Sequence, residues 1–170
     1  MKEYLVVDGY NIIFSWPQLE KLKKNLDHAR VRLLDMLVNY AAMSGEEVVV
    51  VFDAHLVKNN PEHWDAAGKN VEVIFTQEGE TADSLIERLV RDLSAKGRVY
   101  VATSDWTEQS MIFGSGAYRL TPRELLEKVS SMRNEAGRHC KTMPPGQSYL
   151  ENRLVDEVRK TLEDWRRRKE

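Results

Sequence analysis

The chain is short of several things, and each scarcity closes off a class of protein. Its 170 residues include one cysteine, Cys140, which excludes an internal disulfide and suits a reducing, cytoplasmic setting. No apolar run approaches the ~18 residues of a membrane-spanning helix, so no membrane partner is expected. The opening Met1-Lys2-Glu3 leads into an apolar stretch far too short for a signal-peptide core. A formal net charge of −2 gives no global pull toward nucleic acid, so RNA binding would need local basic patches. There is no G-x-G-x-x-G and no P-loop; Gly68-Lys69 lacks both the earlier glycine and the following Ser or Thr. His55, His63 and His139 show no zinc-ligand spacing. Repeats and low-complexity segments are absent. With 42% hydrophobic and 31% charged residues, the composition is that of one soluble globular domain over residues 1–170, with a monomer favoured.

What the chain does have is a set of apolar runs that end in acids. Tyr4-Leu5-Val6-Val7 runs into Asp8-Gly9-Tyr10-Asn11, and Val48-Val49-Val50-Val51-Phe52 runs into Asp53. Such runs, bounded by turn residues, read as buried strands. Val71-Glu72-Val73-Ile74-Phe75 and Val99-Tyr100-Val101-Ala102 are two more strands, and Ala117-Tyr118-Arg119-Leu120 reads as a short edge strand.

Between them lie helix patterns. Pro17 suits the first position of a short helix after a loop at Phe14-Ser15-Trp16. Residues 26–43 follow, started by Asn25 or Asp27, carrying Val31, Leu34, Leu37, Val38, Ala41 and Ala42 at helical spacing and stopped by Gly45. The polar stretch 54–70 reads as a long surface loop. Thr81 caps a helix with the stripe Leu85, Ile86, Leu89, Val90 and Leu93. Thr121-Pro122 opens a helix to about residue 132, and a last helix spans about 149–169, packed on the domain. Strands alternating with helices predict a three-layer α/β fold with a central, mostly parallel sheet of four to five strands.

In a parallel sheet, Asp8, Asp53, Asp83 in the first turn of its helix, and Asp105 after the fourth strand share one carboxyl edge with Asn11. Singly each has an ordinary explanation: Asx turns at Asp8 and Asp53, dipole complementation at Asp83, a capping box from Asp105 to Glu108. Together they are harder to explain so. Two carboxylates ~4 Å apart repel by ~4 kcal/mol at an effective dielectric near 20. Oxygen-only donors point to Mg2+ or Mn2+, which can activate water and stabilise charge on a phosphodiester.

The segments Val7-Asp8-Gly9-Tyr10-Asn11-Ile12-Ile13, Val51-Phe52-Asp53-Ala54-His55, Thr81-Ala82-Asp83-Ser84-Leu85-Ile86 and Val101-Ala102-Thr103-Ser104-Asp105-Trp106 resemble the NYN domain, and more closely its YacP-like branch. The resemblance covers essentially the whole chain. It implies a PIN-like fold and a metal-dependent endoribonuclease that cleaves mRNA in association with translating ribosomes. Carried over position by position, Asp8, Asp83 and Asp105 are the implied metal ligands, Asn11 assists, and Asp53 lies beside them. PIN nucleases usually add an acidic residue from a further helix; here Asp53 and Glu80 both stay open for that role, and the number of ions stays open with it. Candidate RNA contacts are Arg30, Lys21, Lys23, Lys24, Lys58 and Lys69, with Trp16, Trp64 and Trp106 as stacking candidates. The basic tail 166–169 reads more simply as complementing its helix dipole. The alternative class is a ribosome- or RNA-binding protein with an inactive acidic cleft. A phosphatase is disfavoured because Tyr10 stands where a D-x-D nucleophile motif needs its second aspartate.

Overall fold

The structure is a computed structural model that describes residues 2–54, 65–77, 79–104 and 116–142. Contacts divide the chain into two units, residues 1–133 and 134–170. The first unit holds the sheet; of the second, the described part is helical as far as Thr142. The helix expected at about 149–169 lies outside the described residues.

The described strands are β1 (Lys2–Asp8), β2 (Glu47–Phe52), β3 (Asp65–Gly68), β4 (Val71–Phe75), β5 (Gly97–Ala102) and β6 (Tyr118–Leu120). They form one sheet in the order β3-β4-β2-β1-β5-β6. All neighbours are parallel except β3, which pairs antiparallel with β4. The fold class is therefore as expected, with a six-stranded sheet rather than one of four or five. The extra strand is β3, inside the stretch read as loop. It pairs through its backbone with a register shift between Ala66 and Gly68, and an edge strand of this kind carries no apolar alternation to betray it.

The helices are α1 (Gly9–Ser15), α2 (Pro17–Glu20), α3 (Leu26–Ser44), α4 (Ala82–Ser94) and α5 (Pro122–Thr142). α1 is a correction: Gly9-Tyr10-Asn11 read as a turn, but Asp8 caps a helix that begins at once. Pro17 does stand at the start of α2. α3 is bounded as expected, by the Asn25 side chain accepting from His28 N at 3.1 Å and by left-handed Gly45. Its buried stripe is Ala29, Leu33, Leu37, Tyr40 and Ala41, whereas Val31 is 57% exposed and Ala42 is also outside. α5 runs ten residues past the expected residue 132, to Thr142; residues 133–142 hold no leucine, isoleucine, valine or phenylalanine to mark the extension in the sequence.

Strand alternation sorts the sheet's side chains into two cores. Leu5, Val7, Val50, Phe52 and Val73 pack with α1, α3 and α5 through Ile12, Ile13, Leu33, Leu37 and Leu125. Tyr4, Val6, Val51, Ile74 and Val101 pack against α4 through Ala82, Leu85, Ile86 and Val90. Each such aliphatic side chain contributes about 1.5–3 kcal/mol on burial, so both faces of the central strands are held. Trp16, offered above as a stacking residue, is 1% exposed and belongs to the first core. Its indole Nε1 donates to Pro122 O at 2.8 Å, pinning the α1–α2 corner to the start of α5. It has no free face for a base.

Candidate active site at the carboxyl edge of the sheet

β1 leads to β2 through α1–α3 on one face, and β4 leads to β5 through α4 on the other. The chain therefore changes faces between β1 and β5, the place where open α/β sheets form a ligand crevice at their carboxyl ends. Asp8 ends β1 there and is half-buried. By alternation it shares the side of Tyr4 and Val6, the side covered by α4. Asp53 follows the last residue of β2, and its charge reaches the Tyr10 hydroxyl on the other side of the sheet. Asp8 is in register with Val51, so Asp53 lies two residues further along the neighbouring strand line, roughly 8 Å from Asp8 between Cα atoms.

Asp83 arrives from above. Thr81 caps α4, its Oγ1 accepting from Ser84 N at 3.3 Å. Ala82 packs in the same core as Val6 and Val51, which sets the first turn of α4 over the ends of β1 and β2. Asp83 follows it, half-buried, at the helix end whose dipole favours a carboxylate. Asp8, Asp53 and Asp83 thus occupy one edge of the sheet, Asp8 and Asp83 on the side of α4.

Two hydrogen bonds organise the edge itself. Asp8 Oδ1 accepts from Asn11 N at 3.1 Å, and Asn11 Oδ1 accepts from Ser104 N at 2.9 Å across the β1–β5 crevice. On the opposite side, the Tyr10 ring meets Phe52 edge-on at 5.2 Å, and Phe52 stacks on Phe75 at 5.6 Å. The Tyr10 hydroxyl accepts from Arg30 Nη1 at 2.7 Å, and Arg30 Nη2 also bonds Asp27. Burial pushes the Tyr10 hydroxyl above its ordinary pKa; the Arg30 hydrogen bond and charge oppose this, while Asp27 and Asp53 add to it. Arg30 is therefore mostly buried and engaged, a brace for α1 rather than an open cation.

The remaining sequence candidates divide. Lys21 and Lys24 are exposed in the connection from α2 to α3, leading into the same end of the sheet as Arg30 and Tyr10. Lys69 is not there, which corrects its proposed placement near the acids. It sits in the β3–β4 turn, where Val48 N donates to Asn70 O at 2.9 Å, at the amino edge of the sheet. The length of β4 alone, roughly 17 Å, separates it from the carboxyl edge, and it lines a cleft there with Glu47 and Glu72. Glu80 is ion-paired to Arg88 at 2.8 Å. Asp105, Trp106 and Lys58 lie outside the described residues.

Sequence reasoning missed Tyr10, Phe52 and Thr76 as parts of the site. Thr76 is buried just past β4, and its Oγ1 accepts from Ala54 N at 2.9 Å, holding the chain beyond Asp53. A threonine immediately after a strand was the available signal. Among the described residues the acidic donors at the edge are oxygen-only, which suits Mg2+ or Mn2+. Among the described residues, no three of His, Cys, Asp and Glu cluster closely enough to form a metal site.

The family model that matches this chain is the YacP-like NYN domain, over residues 5–167. The chain belongs to the YacP-like NYN domain family. The uncharacterized protein YacP of Bacillus subtilis is 44% identical over 167 residues, covering 97% of each chain. The crystal structure of Rae1 (YacP) from Bacillus subtilis matches at a TM-score of 0.75 and 44% identity, over 96% of this chain and 94% of that one. A tryptophan-to-leucine mutant of Rae1 matches at 0.71 and 42% identity, over 84% and 85%. Membership places this NYN chain in an RNA-related, PIN-like nuclease family whose members typically use divalent metal. No helix among the described residues is long and apolar enough to cross a membrane.

Proposed function

We propose that this NYN protein is a metal-dependent endoribonuclease that cuts mRNA on the translating ribosome, in the cytoplasm. The observation that carries the reading is the arrival of Asp8, Asp53 and Asp83 at one edge of the sheet, from the ends of two strands and the start of a helix. Asp8, Asp83 and Asp105 would hold Mg2+ or Mn2+, with Asp53 beside them. The bound ion would activate a water for in-line attack on phosphorus and neutralise charge on the leaving oxygen. Asp8 and Asp83 are braced for such a task, one as the cap of α1 and the other by the α4 dipole. Exposed Lys21 and Lys24 supply phosphate contacts at the same end of the sheet. The ribosomal part of the reading is supported by the resemblance to the YacP-like branch.

The decisive experiment compares cleavage of a translated mRNA by the wild-type protein and by Asp83→Asn, with and without ribosomes and with excess chelator. Cleavage by the wild type that is abolished in the variant and by chelator, with ribosome binding kept, is expected. Full activity in Asp83→Asn or in chelator refutes the mechanism. A wild-type protein that binds ribosomes and never cuts is instead a binding module.

A further inference from the structure

We propose that Asn11 is a positioning residue, a strap that fixes the spacing between the Asp8 end of β1 and the segment leaving β5. The proposal rests on the nuclease reading for its functional consequence and on geometry alone for the strap.

β1 and β5 are in register up to Val7 and Ala102, and beyond that pair the ladder stops. The chains diverge, α1 turning away from β1 while β5 continues through Thr103 and Ser104. Where the ladder ends, no further β1–β5 ladder bond sets the width of the crevice, and a side chain must do so. Asn11 supplies one. Its own N–H is held by Asp8 Oδ1 at 3.1 Å, and its Oδ1 takes Ser104 N–H at 2.9 Å. The two bonds run in series from the Asp8 carboxylate to the Ser104 backbone.

The next residue after Ser104 is Asp105, whose Cα must lie ~3.8 Å from that of Ser104 by covalent geometry. Pinning the Ser104 amide therefore limits where the chain that follows it can begin. The same bond settles the Asn11 amide: the oxygen points at the Ser104 N–H, because an NH2 group there would face another donor. The side chain must therefore be an acceptor of that length, which Asn and Asp both are and Ala is not.

The test measures the metal-free protein first. Amide exchange of Ser104 is followed by NMR in wild type, Asn11→Ala and Asn11→Asp. Asn11→Ala should speed exchange of the Ser104 amide roughly five- to tenfold, the effect of losing one such bond, while Asn11→Asp retains the protection. On translated mRNA, Asn11→Ala should lower kcat roughly 10- to 100-fold with KM little changed, the penalty of a misplaced group, and Asn11→Asp should recover most of it. Ser104 protection unchanged in Asn11→Ala overturns the strap. Asn11→Asp that protects Ser104 but is as inactive as Asn11→Ala overturns the positioning role in favour of direct action by the amide. If the wild type cuts nothing, the nuclease reading fails, and the exchange result still decides the strap.

Discussion

Gly9 leaves no space for a side chain, and that makes Gly9→Ala a sharp test of how the site is built. A Cβ placed there would lie 2.2 Å from Phe52 Cε1, 2.6 Å from Cδ1 and 2.8 Å from Cζ. Phe52 is fully buried, stacked on Phe75 and edge-on to Tyr10, so its ring cannot swing aside without displacing one of them. Overpacking of this kind costs about 1–3 kcal/mol. Helix propensity works the other way, since Ala is favoured over Gly in a helix by up to about 1 kcal/mol. The sign of the change therefore decides which effect wins. For a chain of this size, each kcal/mol moves Tm by about 2–4 °C, so Gly9→Ala should melt roughly 2–10 °C lower. Pairing it with Phe52→Leu, which removes the offending ring edge, should cost less than the two single changes summed, by about 0.5–3 kcal/mol. Calorimetry of the four proteins gives the cycle. A Gly9→Ala protein that melts at or above wild type, or a strictly additive double variant, refutes the reasoning.

Trp16→Phe keeps the ring but removes the bond to Pro122 O, and should lower the unfolding free energy by about 1–3 kcal/mol in a urea melt, with RNA binding unchanged. Loss of RNA affinity without loss of stability would return Trp16 to the binding surface. Lys21→Glu with Lys24→Glu should weaken RNA binding and flatten its salt dependence, measured by a fluorescence titration across ionic strengths, whereas Lys69→Glu at the amino edge should change neither. An equal effect from Lys69→Glu contradicts that geometry. Burial, chiefly, with the charge of Glu46, raises the pKa of Tyr40, whose hydroxyl donates to Glu46 Oε2 at 2.9 Å. The folded protein thus favours the neutral phenol. That contribution is complete below the unfolded value near ~10 and is lost as pH rises above it toward the higher folded value. Stability from pH 8 to 11 should fall more steeply in wild type than in Tyr40→Phe; equal slopes refute it.

The strand ends were legible because a buried parallel strand is nearly uniform in side chain, so a carboxylate closing it stands out. That is why Asp8 and Asp53 could be placed on one edge before any coordinates. Asp83 was legible through its cap at Thr81. The start of α1 was not, because Asp-Gly reads equally as a turn and as a helix cap followed by a close approach, and the choice is made by Phe52, 43 positions away in the sequence. Lys69 was misplaced for a related reason. Its position depends on β3 reversing direction against β4, and β3 shows no periodicity. Trp16 illustrates the same limit, since its burial is fixed by a partner, Pro122, more than 100 residues on.

The alternation that sorts the two cores also explains why Asp8 lies on the α4 side. On the α1 side the strand ends carry Phe52 and Phe75, and Tyr10 closes over Phe52, so that side is filled by rings. Asp8, one residue past Val7 of that side, emerges on the other, under the N-terminus of α4. The aromatic wall is low in dielectric, and it concentrates the field of the carboxylates outward instead of letting water screen it from both sides. With carboxylates as far apart as the two Cα atoms, ~8 Å, Asp8 and Asp53 would repel by about 2 kcal/mol at an effective dielectric near 20. A cation at the edge removes that repulsion for every pair at once, whereas a protein contact can relieve only the carboxylate it touches. Arg30, which donates to the Tyr10 hydroxyl, faces the aromatic side and is already engaged by Tyr10 and Asp27. The α4 dipole bears on Asp83 within the first turn and falls off beyond it, so it offsets the repulsion at that acid more than at Asp8 or Asp53.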